Sequence, residues 1–169
     1  MSKVHQKVEF VANILIIVVA LAVGGVLVHK YFFAAAPQQA ARAKPTVGAK
    51  MEMTEVNFSQ QPKTLILALQ TTCGYCNESA PFYKRVIETV GNKNIKLVAV
   101  FPAEIEEGAA HLKKLGLTNM EVRSSSLDSL QVSGTPTLIL TNEKGEVTDY
   151  WVGKLTPDKE AEVINKLNS

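Results

Sequence analysis

Apolar residues fall along this chain in runs of unequal length, and the lengths separate the elements. From Phe10 to Val28 Asn13 is the only polar residue, and about nineteen such residues are enough to cross the hydrocarbon core of a bilayer. Thr64-Leu65-Ile66-Leu67-Ala68-Leu69-Gln70 and Ile95–Phe101 are shorter apolar runs, the pattern of strands buried on both faces. Between them Tyr83, Val86, Ile87 and Val90 recur at helical spacing. They predict a helix from about Cys73 to Val90, kinked by Pro81 and ended by Gly91-Asn92-Lys93-Asn94. Residues 104–116 predict another helix, with Ile105, Ala109 and Leu112 on one face and Gly116 closing it. Weaker patterns predict short strands over Glu52–Phe58 and Met120–Arg123, and a helical turn over Ser126–Leu130.

Further on, Val132-Ser133-Gly134-Thr135-Pro136 leads into the apolar run Thr137-Leu138-Ile139-Leu140-Thr141. Pro136 stands at the entrance of that strand, where it costs no ladder hydrogen bond. Asn142-Glu143-Lys144-Gly145 reads as a hairpin loop into a strand over Glu146–Val152. Thr156 and Pro157 suit the cap and first position of a helix, whose apolar face is Val163, Ile164 and Leu167. The order strand–helix–strand–helix–strand, then hairpin and helix, predicts an α/β sheet with parallel and antiparallel pairs.

Three segments follow from these patterns: an N-terminal membrane anchor over residues 1–33, a linker over 34–50 and a folded domain over 51–169. The linker is rich in Ala, Gln and Pro without apolar period, and fully extended it would reach about 55 Å. A cleaved secretory signal is the alternative to an anchor, but the apolar run is long for one and Pro37 follows Ala34-Ala35-Ala36 directly. Lys3, Lys7 and the α-amino group precede the span while Lys30 follows it, a slight bias that places the N-terminus in the cytoplasm. The expected location is therefore the cell membrane, single-pass, with the domain on the extracytoplasmic, periplasmic side. From Lys44 onward fourteen Lys and Arg face fifteen Asp and Glu. This near-neutral balance offers no basic patch for nucleic acid.

The candidate chemistry lies at the end of the first long strand. Cys73-Gly74-Tyr75-Cys76 holds the only two cysteines of the chain. There the free N–H groups of a helix start favour thiolate over thiol. The spacer lets the second thiol attack a disulfide formed by the first, which makes a dithiol/disulfide redox centre. Half a zinc site is one alternative, but His5, His29 and His111 form no pair of ligand spacing. A static disulfide is another, though so short a loop constrains the unfolded chain little. A third is a module in which the two thiolates hold soft Cu(I) for delivery; no Met or His adjoins the pair, and Pro136 would crowd the sulfurs. An adhesion or scaffold domain would have no use for both cysteines. Without a G-x-G-x-x-G or P-loop pattern no dissolved cofactor is expected.

Cys73-Gly74-Tyr75-Cys76, Pro81 five residues beyond, Gly134-Thr135-Pro136 before a strand and Gly153 after the hairpin together resemble the thioredoxin fold. The extra helix and strand before Pro136, behind an anchor, resemble the ResA/TlpA-type extracytoplasmic thiol–disulfide oxidoreductases. The resemblance covers about residues 50–167. It implies a mixed central sheet flanked by helices, with Cys73 as exposed nucleophile and Cys76 as shielded resolving thiol. It also implies a cis Thr135-Pro136 bond beside them, its backbone pairing with substrate. Expected partners are protein thiols and disulfides, an electron donor or acceptor in or outside the membrane, and the membrane itself through residues 10–28. Two positions depart from the family pattern. Thr72 stands where Trp is common, and the family's buried acid is absent, its two usual places being Leu67 and Ser79. Glu78 is adjacent to the second, but a one-residue step turns a helical side chain by about 100°, so it reads as a solvated surface acid. The Gly-Tyr spacer and Thr135 also resemble the thioredoxin domains of bacterial disulfide isomerases.

Overall fold

The computed structural model describes residues 14–21, 24, 44–53 and 55–169, which fall in two compact units, 1–41 and 42–169. In the first unit residues 14–21 and 24 are helical; the remainder of the expected anchor lies outside the described residues. Among the described residues no helix is long and apolar enough to cross a membrane.

The second unit is built on a five-stranded sheet of order β3-β2-β1-β4-β5. β1 (Lys63–Ala68), β2 (Ile95–Phe101) and β3 (Glu121–Ser124) are parallel; β4 (Thr137–Asn142) and β5 (Val147–Val152) return antiparallel. β1 is central and apolar because both its faces are covered. Leu65 and Leu67 look to one side, Ile66 and Ala68 to the other, and all four are fully buried. The first side is the helical one, formed by α1 (Gly74–Glu78), α2 (Ala80–Val90), α3 (Ile105–Leu115) and α4 (Pro157–Asn168). Phe82, Tyr83, Val86, Leu112, Val163 and Leu167 pack there against Leu65, Leu67, Ala99, Phe101 and Leu138. Among the described residues the second side has no α-helix over it. Met51, Val56 and Phe58 cover it together with Leu130 and Val132.

Two expectations are corrected. Glu52–Phe58 is not a strand. The chain instead runs beside the start of β5 a few residues earlier, where Gly48 N–H donates to Val147 O (2.8 Å) and Met51 N–H to Gly145 O (2.8 Å). It then turns into a 3-10 helix, Phe58–Gln60, capped by Asn57. Val56 and Phe58 are buried as anchors on the sheet rather than as a pleat. The single kinked helix from Cys73 to Val90 is in fact two, parted at Ser79. Pro81 has no N–H to give the carbonyl of Asn77, which interrupts the helical ladder there. Ser79 N–H makes the last regular bond of α1, to Tyr75 O (3.1 Å), and Pro81 opens the first turn of α2.

α3 ends as its glycine predicts, with Gly116 left-handed (φ 71°) and its N–H on Leu112 O and Lys113 O. Earlier in α3, Gly108 lets the helix sit directly on the sheet. A Cβ there would lie 2.7 Å from Phe101 Cδ2 and 3.2 Å from Val122 Cγ1.

Candidate redox site

Cys73 leaves β1 by a tight turn, its N–H donating to Gln70 O (3.1 Å). Its extended backbone (φ −82°, ψ 110°) makes it the N-cap of α1, and its sulfur takes the Cys76 N–H at 3.1 Å. A sulfur that accepts a backbone N–H is favoured as thiolate over thiol once the pair is reduced. Cys76, one turn in, is 1 % exposed and packed in the helical-side core. Cys73 is only partly buried. The two sulfurs are joined, with Cα atoms 5.2 Å apart. The strand-to-helix turn therefore leaves one cysteine partly open to solvent and sets the other behind it.

Thr135 and Pro136 reach the same place from β4. The bond between them is cis, Pro136 is buried, and the Thr135 carbonyl lies 3.3 Å from Cys73 Sγ. In the dithiol form that carbonyl is an acceptor for the Cys73 S–H. The Pro136 carbonyl is already occupied by Gly153 N–H (2.7 Å). All four residues singled out in the sequence are thus brought together.

Several residues around them carried no functional signal in the sequence. Thr135 Oγ1 donates to Gln70 Oε1 (3.0 Å), tying the proline loop to the cysteine turn. Thr71 Oγ1 donates to Glu107 Oε1 (2.9 Å), and His111 Nε2 lies 2.9 Å from Asn77 Oδ1. Glu78 pairs with Lys154 (2.6 Å) at the surface, both about half-exposed, and the carboxylate holds the lysine above its ordinary pKa. Beneath Cys76 the family's acid positions are filled by Leu67, fully buried, and Ser79, nearly so. The Ser79 hydroxyl donates to Tyr75 O (2.8 Å). Tyr83, one turn on, is buried with no hydrogen-bond partner for its hydroxyl among the described residues. Burial pushes its phenol well above the ordinary tyrosine range; the Ser79 hydroxyl opposes the shift and Glu160 adds to it. The spacing of Glu107 and His111, four apart on one helix, was the one available hint of a shared face.

A parallel three-stranded core, an antiparallel hairpin and a strand-to-helix Cys-x-x-Cys beside a cis-proline define a thioredoxin-like protein. The family model for the thioredoxin-like domain matches residues 49–168, and the chain belongs to that family. No curated protein matches it. Solved structures share the fold at low identity. The thioredoxin domain of a thiol-disulfide oxidoreductase from Bacteroides vulgatus is 13 % identical with TM-score 0.60, over 75 % of this chain and 100 % of that one. A thiol-disulfide isomerase from Corynebacterium glutamicum is 14 % identical, TM-score 0.56, over 78 % and 97 %. A secreted Mycobacterium tuberculosis disulfide oxidoreductase homologous to DsbE of E. coli is 15 % identical, TM-score 0.52, over 65 % and 84 %.

Proposed function

We propose that this protein is a membrane-tethered thiol–disulfide oxidoreductase acting on proteins outside the cytoplasm. The observation that carries the reading is the asymmetry of the pair, a partly buried Cys73 capping a helix over a fully buried Cys76. As a thiolate, Cys73 attacks one sulfur of a substrate disulfide. The S–S bond breaks, the far sulfur leaves as thiolate and takes up a proton, and a mixed disulfide remains. Cys76, once deprotonated, attacks Cys73 Sγ, releases the second substrate thiol and closes the Cys73–Cys76 disulfide. Two electrons have then passed to the substrate. Run backwards, the same steps oxidise a dithiol, and the direction is set by the reduction potential of the pair against its partner. The solved relatives named for this chemistry support the reading, and the apolar run Phe10–Val28 supports the tether.

Reduction of insulin by dithiothreitol tests it. The full chain should accelerate precipitation of the insulin B chain, and Cys73→Ser should abolish the effect. No acceleration, together with a tight stoichiometric Cu(I) site in anaerobic titration, would transfer the assignment to copper delivery.

A further inference from the structure

Helix α1 is five residues long, too short to persist by its own hydrogen bonds. Its position depends on what grips it from outside. α3 grips the redox loop on both flanks of the cysteine pair. Glu107 accepts from the hydroxyl of Thr71, two residues before Cys73, and His111 reaches Asn77, the residue after Cys76. The two side chains stand one helical turn apart on one face of α3. The helix between them is seated on the sheet at Gly108, where a Cβ would collide with Phe101. The His111 ring lies edge-on to the same Phe101, centroids 6.1 Å apart.

We propose that Glu107 and His111 are positioning residues that set the redox equilibrium of the Cys73–Cys76 pair by holding the loop in its ring-closed geometry. The inference rests on the pair cycling between dithiol and disulfide, as the proposed function requires. Its physical basis is the unequal freedom of the two redox states. In the disulfide form the S–S bond itself keeps the Cα atoms of Cys73 and Cys76 at 5.2 Å. In the dithiol form that link is absent, and the external hydrogen bonds restrain the loop. Loss of either bond releases more conformational freedom in the dithiol than in the disulfide. The effective concentration of one thiol about the other then falls. Oxidation becomes less favourable, and the reduction potential rises.

The test is the equilibrium of the full-length chain with reduced and oxidised glutathione, in which dithiol plus glutathione disulfide gives protein disulfide plus two glutathione thiols. Both bonds lie at the surface, where a hydrogen bond has modest worth, so Glu107→Ala and His111→Ala should each lower the oxidation constant about threefold. At about 30 mV per tenfold change, that is a rise of about 14 mV each and about 28 mV for the double variant. His111→Gln keeps an N–H donor of similar reach and should restore the wild-type value. Lys113→Ala, on the exposed side of the same helix, should leave it unchanged. A double variant with an unaltered potential would overturn the proposal even if its melting temperature fell, since α3 would then be only structural. A lowered potential would overturn it too. A wild-type chain that equilibrates with glutathione but fails to reduce insulin would sink the proposed function and leave this inference standing. A wild-type pair that never equilibrates would sink both.

Discussion

Tyr83 is the residue whose environment conflicts most with its chemistry. Its hydroxyl is buried with no well-formed hydrogen bond among the described residues, and the Ser79 hydroxyl beside it already donates to Tyr75 O. Replacing a polar group that makes no bond removes a desolvation cost and no interaction. Tyr83→Phe should therefore leave the melting temperature unchanged or raise it slightly, measured near pH 7. The phenol also makes a signed prediction in alkali. Burial raises its folded-state pKa above the unfolded value of about 10. The stability it contributes is fully present below that pH and is lost as pH climbs through the raised folded value. Denaturant midpoints above pH 10 should fall less steeply for Tyr83→Phe than for wild type. Equal slopes would show that the phenol ionises freely in the folded protein.

Among the elements, β1, β2 and β4 were legible because each is covered on both faces and so reads as an unbroken apolar run. The end of α3 was legible from Gly116, and the hairpin from Asn142–Gly145. Other features depend on partners remote in the sequence. Val56 and Phe58 carry no period because they anchor an irregular segment on Ile66, Val98 and Ile139. Pro81 announced a disturbance, but whether it kinks the helix or parts it at Ser79 is set by the packing of the two halves. At the site the cysteine spacing and Gly134-Thr135-Pro136 pointed to the right place. Glu107, His111, Gln70 and Lys154 did not, since ordinary surface residues gain a role only when the fold brings them to the loop. The seating of α3 on Gly108 is testable in the same terms. Gly108→Ala would force a methyl group against Phe101 and should destabilise the protein by about 1–3 kcal/mol, as overpacking does. Urea unfolding would read this as a lower midpoint at constant slope, and an unchanged midpoint would mean the helix shifts freely.

On the scale of the whole molecule, the proposal separates a membrane segment from a catalytic domain. The domain carries near-equal numbers of acidic and basic side chains, so no long-range field selects a charged partner. Specificity would then fall to the surface around Cys73, where Tyr75 is 60 % exposed. If residues 31–169 lie outside the cytoplasm, protease added to intact spheroplasts should release the domain. A domain cut only after lysis would place it inside. The most direct test of the central claim is covalent trapping of clients in cells. Cys76→Ser leaves the more accessible nucleophile intact and removes the buried thiol that resolves its adducts. It should accumulate disulfide-linked complexes with other proteins, visible on non-reducing gels and lost on reduction, while Cys73→Ser should accumulate few. Equal trapping by the two variants, or trapping by neither, would contradict the account.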